Sequence, residues 1–334
     1  MTDVKEAERS AREIVAQLND LKQEIKKIIV GQEEIIDQLL ITFLAGGHAL
    51  LEGVPGLAKT LMIRSLSEAI DLRFRRIQFT PDLMPSDIIG TEILEEDHTT
   101  GKRIFKFNKG PIFANIILAD EINRTSPKTQ SALLEAMQEF AVTYAGTTYP
   151  LERPFFILAT QNPIEQSGTF PLPEAQLDRF LLYIKVDYPT LDEERAILEN
   201  TTGRRGDAIS PVIGGNKILD AQRLVREVHI NPELIDWVSR IVRNTRPGLE
   251  KNSFVDEWVR WGAGPRAGQA MILTAKARAL LHGNFSVTQD DIRHVAFPVL
   301  RHRILMNFKA EAEKVLPDEV TKHLLQTTGF AKGL

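Results

Sequence analysis

Apolar residues Val4, Ala7, Ala11, Ile14, Leu18, Leu21, Ile25 and Ile28 recur at alternating steps of three and four, with charged residues between them. That spacing predicts an amphipathic helix over residues 1–27 with one narrow apolar seam. The seam suits either the chain's own domain or a neighbouring subunit. Gly31-Gln32 interrupt the pattern, Glu33-Glu34 open a second apolar stretch from Ile35 to Leu44, and Gly46-Gly47 close it. Beyond them, short apolar runs at 48–51, 75–79, 116–119, 155–160 and 181–186 alternate with helical periodicity, notably after residue 61 and after Ser126-Pro127. Strands of that length and apolarity, separated by helices, predict a five-stranded parallel sheet built from right-handed crossovers, an α/β class. Two further stretches, about 91–107 with a polar tip at Asp97–Gly101 and about 142–151, alternate like β-hairpins inserted between sheet strands.

Past Tyr188-Pro189 the pattern is helical almost throughout, apart from a polar, Gly-rich loop from Gly203 to Gly215. The domain reading is therefore a core over 28–189, a small all-α domain over 190–308 and a tail over 309–334 with mixed charge. Asn231-Pro232-Glu233 and Thr288-Gln289-Asp290-Asp291 are helix starts by capping chemistry.

Composition narrows the possibilities. At 334 residues the chain is long enough for two domains with cores of their own. With no cysteine it has neither disulfides nor thiolate metal sites, as fits a reducing compartment. A formal net charge of -4, and no basic run interleaved with aromatics, disfavour nucleic acid as a partner. The absence of an apolar leader and of a long apolar span points to a cytoplasmic protein.

The chemistry is concentrated in Gly53-Val54-Pro55-Gly56-Leu57-Ala58-Lys59-Thr60. A strand that turns through glycines into a helix opening with Lys-Thr aims backbone N–H groups and a helix N-terminus at one spot, a phosphate cradle. The glycine usual before the lysine is Ala58, so the loop is expected to keep residue 58 at negative φ. Lys59 suits the β/γ-phosphates and the Thr60 hydroxyl suits Mg²⁺, which takes oxygen donors. Asp120 ends a buried strand, where ligands of open α/β sheets bind, and is the candidate second metal ligand. Glu121 is the candidate for orienting or deprotonating a water; taken alone, Asp-Glu after a strand reads equally as a loop. Asn162 either holds the same water or merely turns the chain before Pro163. Arg179 is a candidate finger for a neighbour's site or half of a surface pair with Asp178, and Arg266 heads a helix aimed at the nucleotide region. The Gly31-Gln32 bend is a candidate wall for a nucleotide base.

In order along the chain these motifs resemble those of AAA+ ATPases, and specifically the MoxR family. The 53–60 segment, alanine included, is similar to that family's Walker A; Ile117–Arg124 resembles Walker B, and Ala159–Pro163 sensor 1. Leu172–Phe180 resembles the segment bearing the arginine finger, and Gly264–Ala267 sensor 2. The resemblance implies an AAA+ αβα core followed by an α-helical lid, and ATP and Mg as ligands. It also implies a ring, usually hexameric, that remodels protein clients, commonly with partners carrying von Willebrand factor A domains. A magnesium-chelatase-type ATPase subunit, a non-hydrolysing nucleotide-gated module and, ranked lower, a DNA translocase remain as alternatives.

Overall fold

A computed structural model describes residues 2–54, 56–96, 103–164, 168–202, 208–249 and 252–330. Pro55, the hairpin tip 97–101 with Lys102, and residues 203–207 of the expected Gly-rich loop lie outside the described residues.

Helix α1 (Thr2–Lys26) buries Ile14, Leu18, Leu21 and Ile25, the seam predicted from the sequence, against the chain's own α-helical elements. Helix α2 (Glu33–Leu44) starts at Gln32, which has φ 55, and runs down to the sheet. Then follow β1 (Ala49–Gly53), α3 (Lys59–Ile70) and β2 (Phe74–Gln78). The insertion comes next: α4 (Pro85–Ile89) leads into β3 (Gly90–Glu96), which pairs antiparallel with β4 (Arg103–Lys109). The chain returns through β5 (Ile116–Asp120) and α5 (Pro127–Glu139) to a second hairpin, β6 (Ala141–Tyr144) with β7 (Thr147–Pro150). Phe107 of β4 stacks on Tyr149 of β7 with centroids 4.4 Å apart, and lies 5.2 Å from Tyr144 and 5.9 Å from Phe113. These rings join the two hairpins.

Strand β8 (Phe156–Gln161), helix α6 (Glu174–Leu177) and strand β9 (Leu182–Val186) complete the core. The five-stranded sheet has the order β2-β5-β8-β1-β9, and each described pairing is parallel. Ile116 to Ala119 and Phe156 to Thr160 are fully buried, because helices cover both faces.

After β9 come α7 (Leu191–Thr202), α8 (Gly215–Glu227), α9 (Pro232–Asn244), α10 (Ser253–Trp258) and β10 (Val259–Trp261). The chain continues as α11 (Pro265–Leu281), α12 (Gln289–Leu300), β11 (Leu305–Met306), α13 (Phe308–Glu313) and α14 (Pro317–Thr327). Asn231 caps α9 by accepting from the Glu233 N–H, and Thr288 with Asp291 forms a capping box on α12. The segment set apart as a tail packs into this helical layer. Val320 and Leu324 of α14 are fully buried, and the Trp237 indole donates to the Thr328 carbonyl at 2.9 Å.

Candidate functional site

In a parallel sheet every strand delivers its carboxyl end to the same side. Gly53 therefore emerges beside the ends of β5 and β8. Gly53 is close-packed: a Cβ there would lie 2.9 Å from the Val186 Cβ. Gly56 sits at φ +89 in open space, so only its conformation requires glycine. Ala58 corrects the sequence expectation: it stands at φ 54 as the residue preceding α3, not at negative φ. The turn into the helix demands the left-handed conformation, and alanine accepts it at a cost of about 1 kcal/mol. Leu57 and Val54 are half-buried, while the first turn of α3 leaves Thr60 exposed.

The Lys59 ammonium donates to the Gly53 carbonyl at 2.6 Å. Half-burial lowers its pKa, while the nearby Asp120 and Glu121 carboxylates oppose that shift. Thr160 joins the two acids. Its hydroxyl donates to Asp120 Oδ1 at 2.6 Å and accepts from the Glu121 N–H at 2.9 Å. Glu121 itself has φ 57, which swings its side chain out of the strand line. Gln78, paired in register with Asp120, donates to Glu121 Oε2 at 3.0 Å, and Arg124 lies 3.2 Å from the same oxygen. Arg76 donates to Asp120 Oδ2 at 2.7 and 3.0 Å. Asn162 is buried at the end of β8, where its Oδ1 accepts from the Ile164 N–H at 3.1 Å. The turn thus uses the acceptor, and the amide nitrogen is left as a donor.

Arg76, Gln78 and Thr160 were not singled out in the sequence. Their signal is period-two alternation: Thr160 shares a face with Asn162, as Arg76 does with Gln78. For a metal, the candidate donors are the Asp120 carboxylate and the Thr60 hydroxyl. Among the described residues no cluster of three His, Cys, Asp or Glu forms a cage. One carboxylate and one hydroxyl beside a phosphate cradle fit Mg²⁺, which is held largely through substrate phosphates and water.

Beside the cradle is a cavity of about 370 Å³ whose lining includes Ile29, Gln32, Leu57, Ala58, Tyr188 and Leu198. The Gln32 N–H donates to Glu193 Oε1 at 3.2 Å, and a Cβ on Gly31 would meet that carboxylate at 2.6 Å. Hydrogen bonds from Thr190 and Gln32 hold the Glu193 carboxyl below its usual range.

Arg179 and Arg266 lie elsewhere. Leu181 donates its N–H to the His48 carbonyl at 2.8 Å, which places the segment before β9 at the amino end of the sheet. His48 precedes Gly53 by five residues, about 16 Å of strand, and Arg179 lies further out. Arg266 contacts Asp178 Oδ2 at 3.5 Å and shares a cavity of about 300 Å³ with Arg179 and Arg303. Arg266, read from the sequence as a cation aimed at a nucleotide region, therefore lies at the end of the sheet away from its own chain's cradle. The helical domain docks α11 against α2 and α12 against β9, carrying Arg266 to the opposite end. Arg303 braces this cluster: its buried guanidinium donates to Asp178 Oδ1 at 2.7 Å and to the Phe180 carbonyl at 2.8 Å.

A phosphate cradle at the carboxyl end of β1, acids at the end of β5 and a polar residue at the end of β8 define a P-loop ATPase of the AAA type. The comparisons agree. The model of the ATPase family associated with various cellular activities matches residues 48–182, and that of the AAA lid domain matches residues 252–324. The chain is 42% identical over 324 residues to Chaperone MoxR1 of Mycobacterium tuberculosis, covering 96% of this chain and 85% of that protein. It is 30% identical to Protein MoxR of Paracoccus denitrificans over 90% of this chain and 93% of the relative. A crystal structure of a putative ATPase from Cytophaga hutchinsonii superposes with a TM-score of 0.91 at 39% identity, covering 99% of this chain and all of the other. The chain belongs to the MoxR family of AAA+ ATPases. Among the described residues no helix is long and apolar enough to cross a membrane.

Proposed function

We propose that the protein hydrolyses Mg²⁺-bound ATP as a subunit of a cytoplasmic ring, hexameric in the manner of its family, and uses the energy to remodel protein clients. The observation that carries the reading is the division of the site: Lys59, Asp120, Glu121 and Asn162 gather at one end of the sheet, Arg179 and Arg266 at the other. A ring that sets the arginine end of one subunit against the cradle of the next completes the site, so both arginines act in trans.

In this reading the backbone N–H groups of 56–60 and the Lys59 ammonium neutralise phosphate charge, and the base rests in the cavity beside Gly31-Gln32. Asp120 and Thr60 hold Mg²⁺, which supplies further charge neutralisation at the phosphates. Glu121, aimed by Gln78, Arg124 and its bond to Thr160, takes the proton of the attacking water, while the Asn162 amide donates to the same region. Protein clients, including partners with von Willebrand factor A domains, rest on the family alone.

Glu121→Gln tests the reading. It keeps the shape of the side chain and removes the base, so turnover falls about 10²- to 10⁴-fold while nucleotide binding persists. Steady-state phosphate release with Mg²⁺-ATP, run beside fluorescent-nucleotide binding, measures both. Unchanged turnover removes Glu121 as the base, and no phosphate release from the unaltered, assembled protein sinks the hydrolytic assignment and favours a nucleotide-gated module.

A further inference from the structure

We propose that a recess at the amino end of the sheet, between the end of α5, the start of β8 and α8, binds a small phosphorylated ligand. It is separate from the nucleotide cradle. Its volume is about 470 Å³, and its lining includes Arg153, Arg223, Arg226, Phe140 and Phe155. That volume lies in the range of small-molecule sites, and a compact recess of this size suits a small ligand better than an extended peptide.

The charge is one-sided. Arg223 pairs with Asp220 at 3.1 Å, whereas Arg153 and Arg226 have no carboxylate partner among the described residues. Glu152, next to Arg153, is taken by Arg73. Three arginines and no carboxylate are among the residues lining the cavity, in a chain of net charge -4. Guanidinium forks match phosphate oxygens in pairs, which favours a phosphate over a single carboxylate.

The walls are fixed. The Arg153 guanidinium lies 4.2 Å above the Phe140 ring, and the Phe140 and Phe155 rings meet edge-on with centroids 6.2 Å apart. Gln222 ties α8 to the Phe43 carbonyl at 2.8 Å, so the helix carrying Arg223 and Arg226 is anchored to α2. The recess thus sets the Arg153 donors over an aromatic wall and faces them with those of α8, which suits a phosphate group.

Inorganic pyrophosphate is the probe, titrated calorimetrically into Lys59→Ala protein so that the cradle does not compete. Saturable binding is expected, weakened by raising the salt concentration. Arg153→Gln combined with Arg226→Gln weakens it about tenfold or more, since each removes a charge-assisted bond. Arg9→Gln, an exposed site on α1, leaves it unchanged. Both arginines of the double variant are exposed, and thermal melts identify any variant that fails to fold. A single Arg226→Gln then serves in its place. No saturable binding, equal affinity in the double variant, or tighter capture of an acidic hexapeptide than of pyrophosphate overturns the proposal. Each result is independent of ATP turnover.

Discussion

The two ends of the central sheet are built from opposite chemistry. At the carboxyl end two acids, Asp120 and Glu121, are tied through the Thr160 hydroxyl near Asn162 and meet Lys59, Arg76 and Arg124. At the amino end, arginines surround one acid: Arg179, Arg266 and Arg303 with Asp178. Within one chain the two ends are separate polar patches held apart by the parallel sheet. Under the proposed function neither is a complete site for phosphoryl transfer, and the two complete one another only across a subunit boundary.

Under the proposed function Arg179→Ala reduces turnover about 10³-fold or more while nucleotide binding is retained. Mixing it with Lys59→Ala subunits restores part of the activity, because some interfaces then pair an intact cradle with an intact arginine. Phosphate release across a mixing series reads this; a flat, inactive series counts against completion in trans.

A smaller effect tests the integrity of the amino end. His48 is fully buried there: its Nε2–H donates to the Met137 carbonyl at 3.1 Å, and its Nδ1 accepts from the Ile157 N–H at 3.1 Å. Burial pushes its pKa down to about 4. The folded state therefore resists protonation that the unfolded chain accepts below its ordinary value near 6.5. Stability is full above that value and is lost as pH falls from about 6.5 towards 4, by up to about 3 kcal/mol. His302, buried beside Arg301 and Arg303, adds to the same trend. Urea unfolding at pH 7 and pH 4.5 measures the loss, and His48→Gln lowers stability at pH 7 but flattens the pH dependence. An unchanged slope removes His48 as its source.

The smallest effect belongs to the carboxyl end. Ala58→Gly relieves a left-handed residue but makes the unfolded chain more flexible, so stability rises by only about 0.5 kcal/mol. A thermal melt that falls instead shows that the methyl group contributes contacts that outweigh the strain.

Much of this was legible in the sequence. The P-loop, the strand ends bearing Asp120 and Asn162, and the caps at Asn231 and Thr288 follow from local rules of period, turn and capping, and those rules act over a few residues. The sign of φ at Ala58 departs from the sequence expectation because the shape of the loop overrides the residue's intrinsic preference. Arg179 could have been located from sequence, since it precedes a parallel strand and so belongs to the end away from the cradle. Arg266 could not. Its position depends on how α11 and α12 dock on α2 and β9, and periodicity marks a helix's apolar face but not the surface it packs against. Val320, Leu324 and Leu325 likewise carry no mark of which surface they cover.

The ring contacts of Phe107 with Tyr144 and Tyr149 have a mechanical consequence. Each hairpin alone is a two-stranded ribbon, soft in bending. Joined near the base of the first and along the length of the second, the two share any load, so a pull on one is resisted by both and transmitted to α5 through the second. Whatever these hairpins touch meets a braced frame anchored one helix away from Glu121.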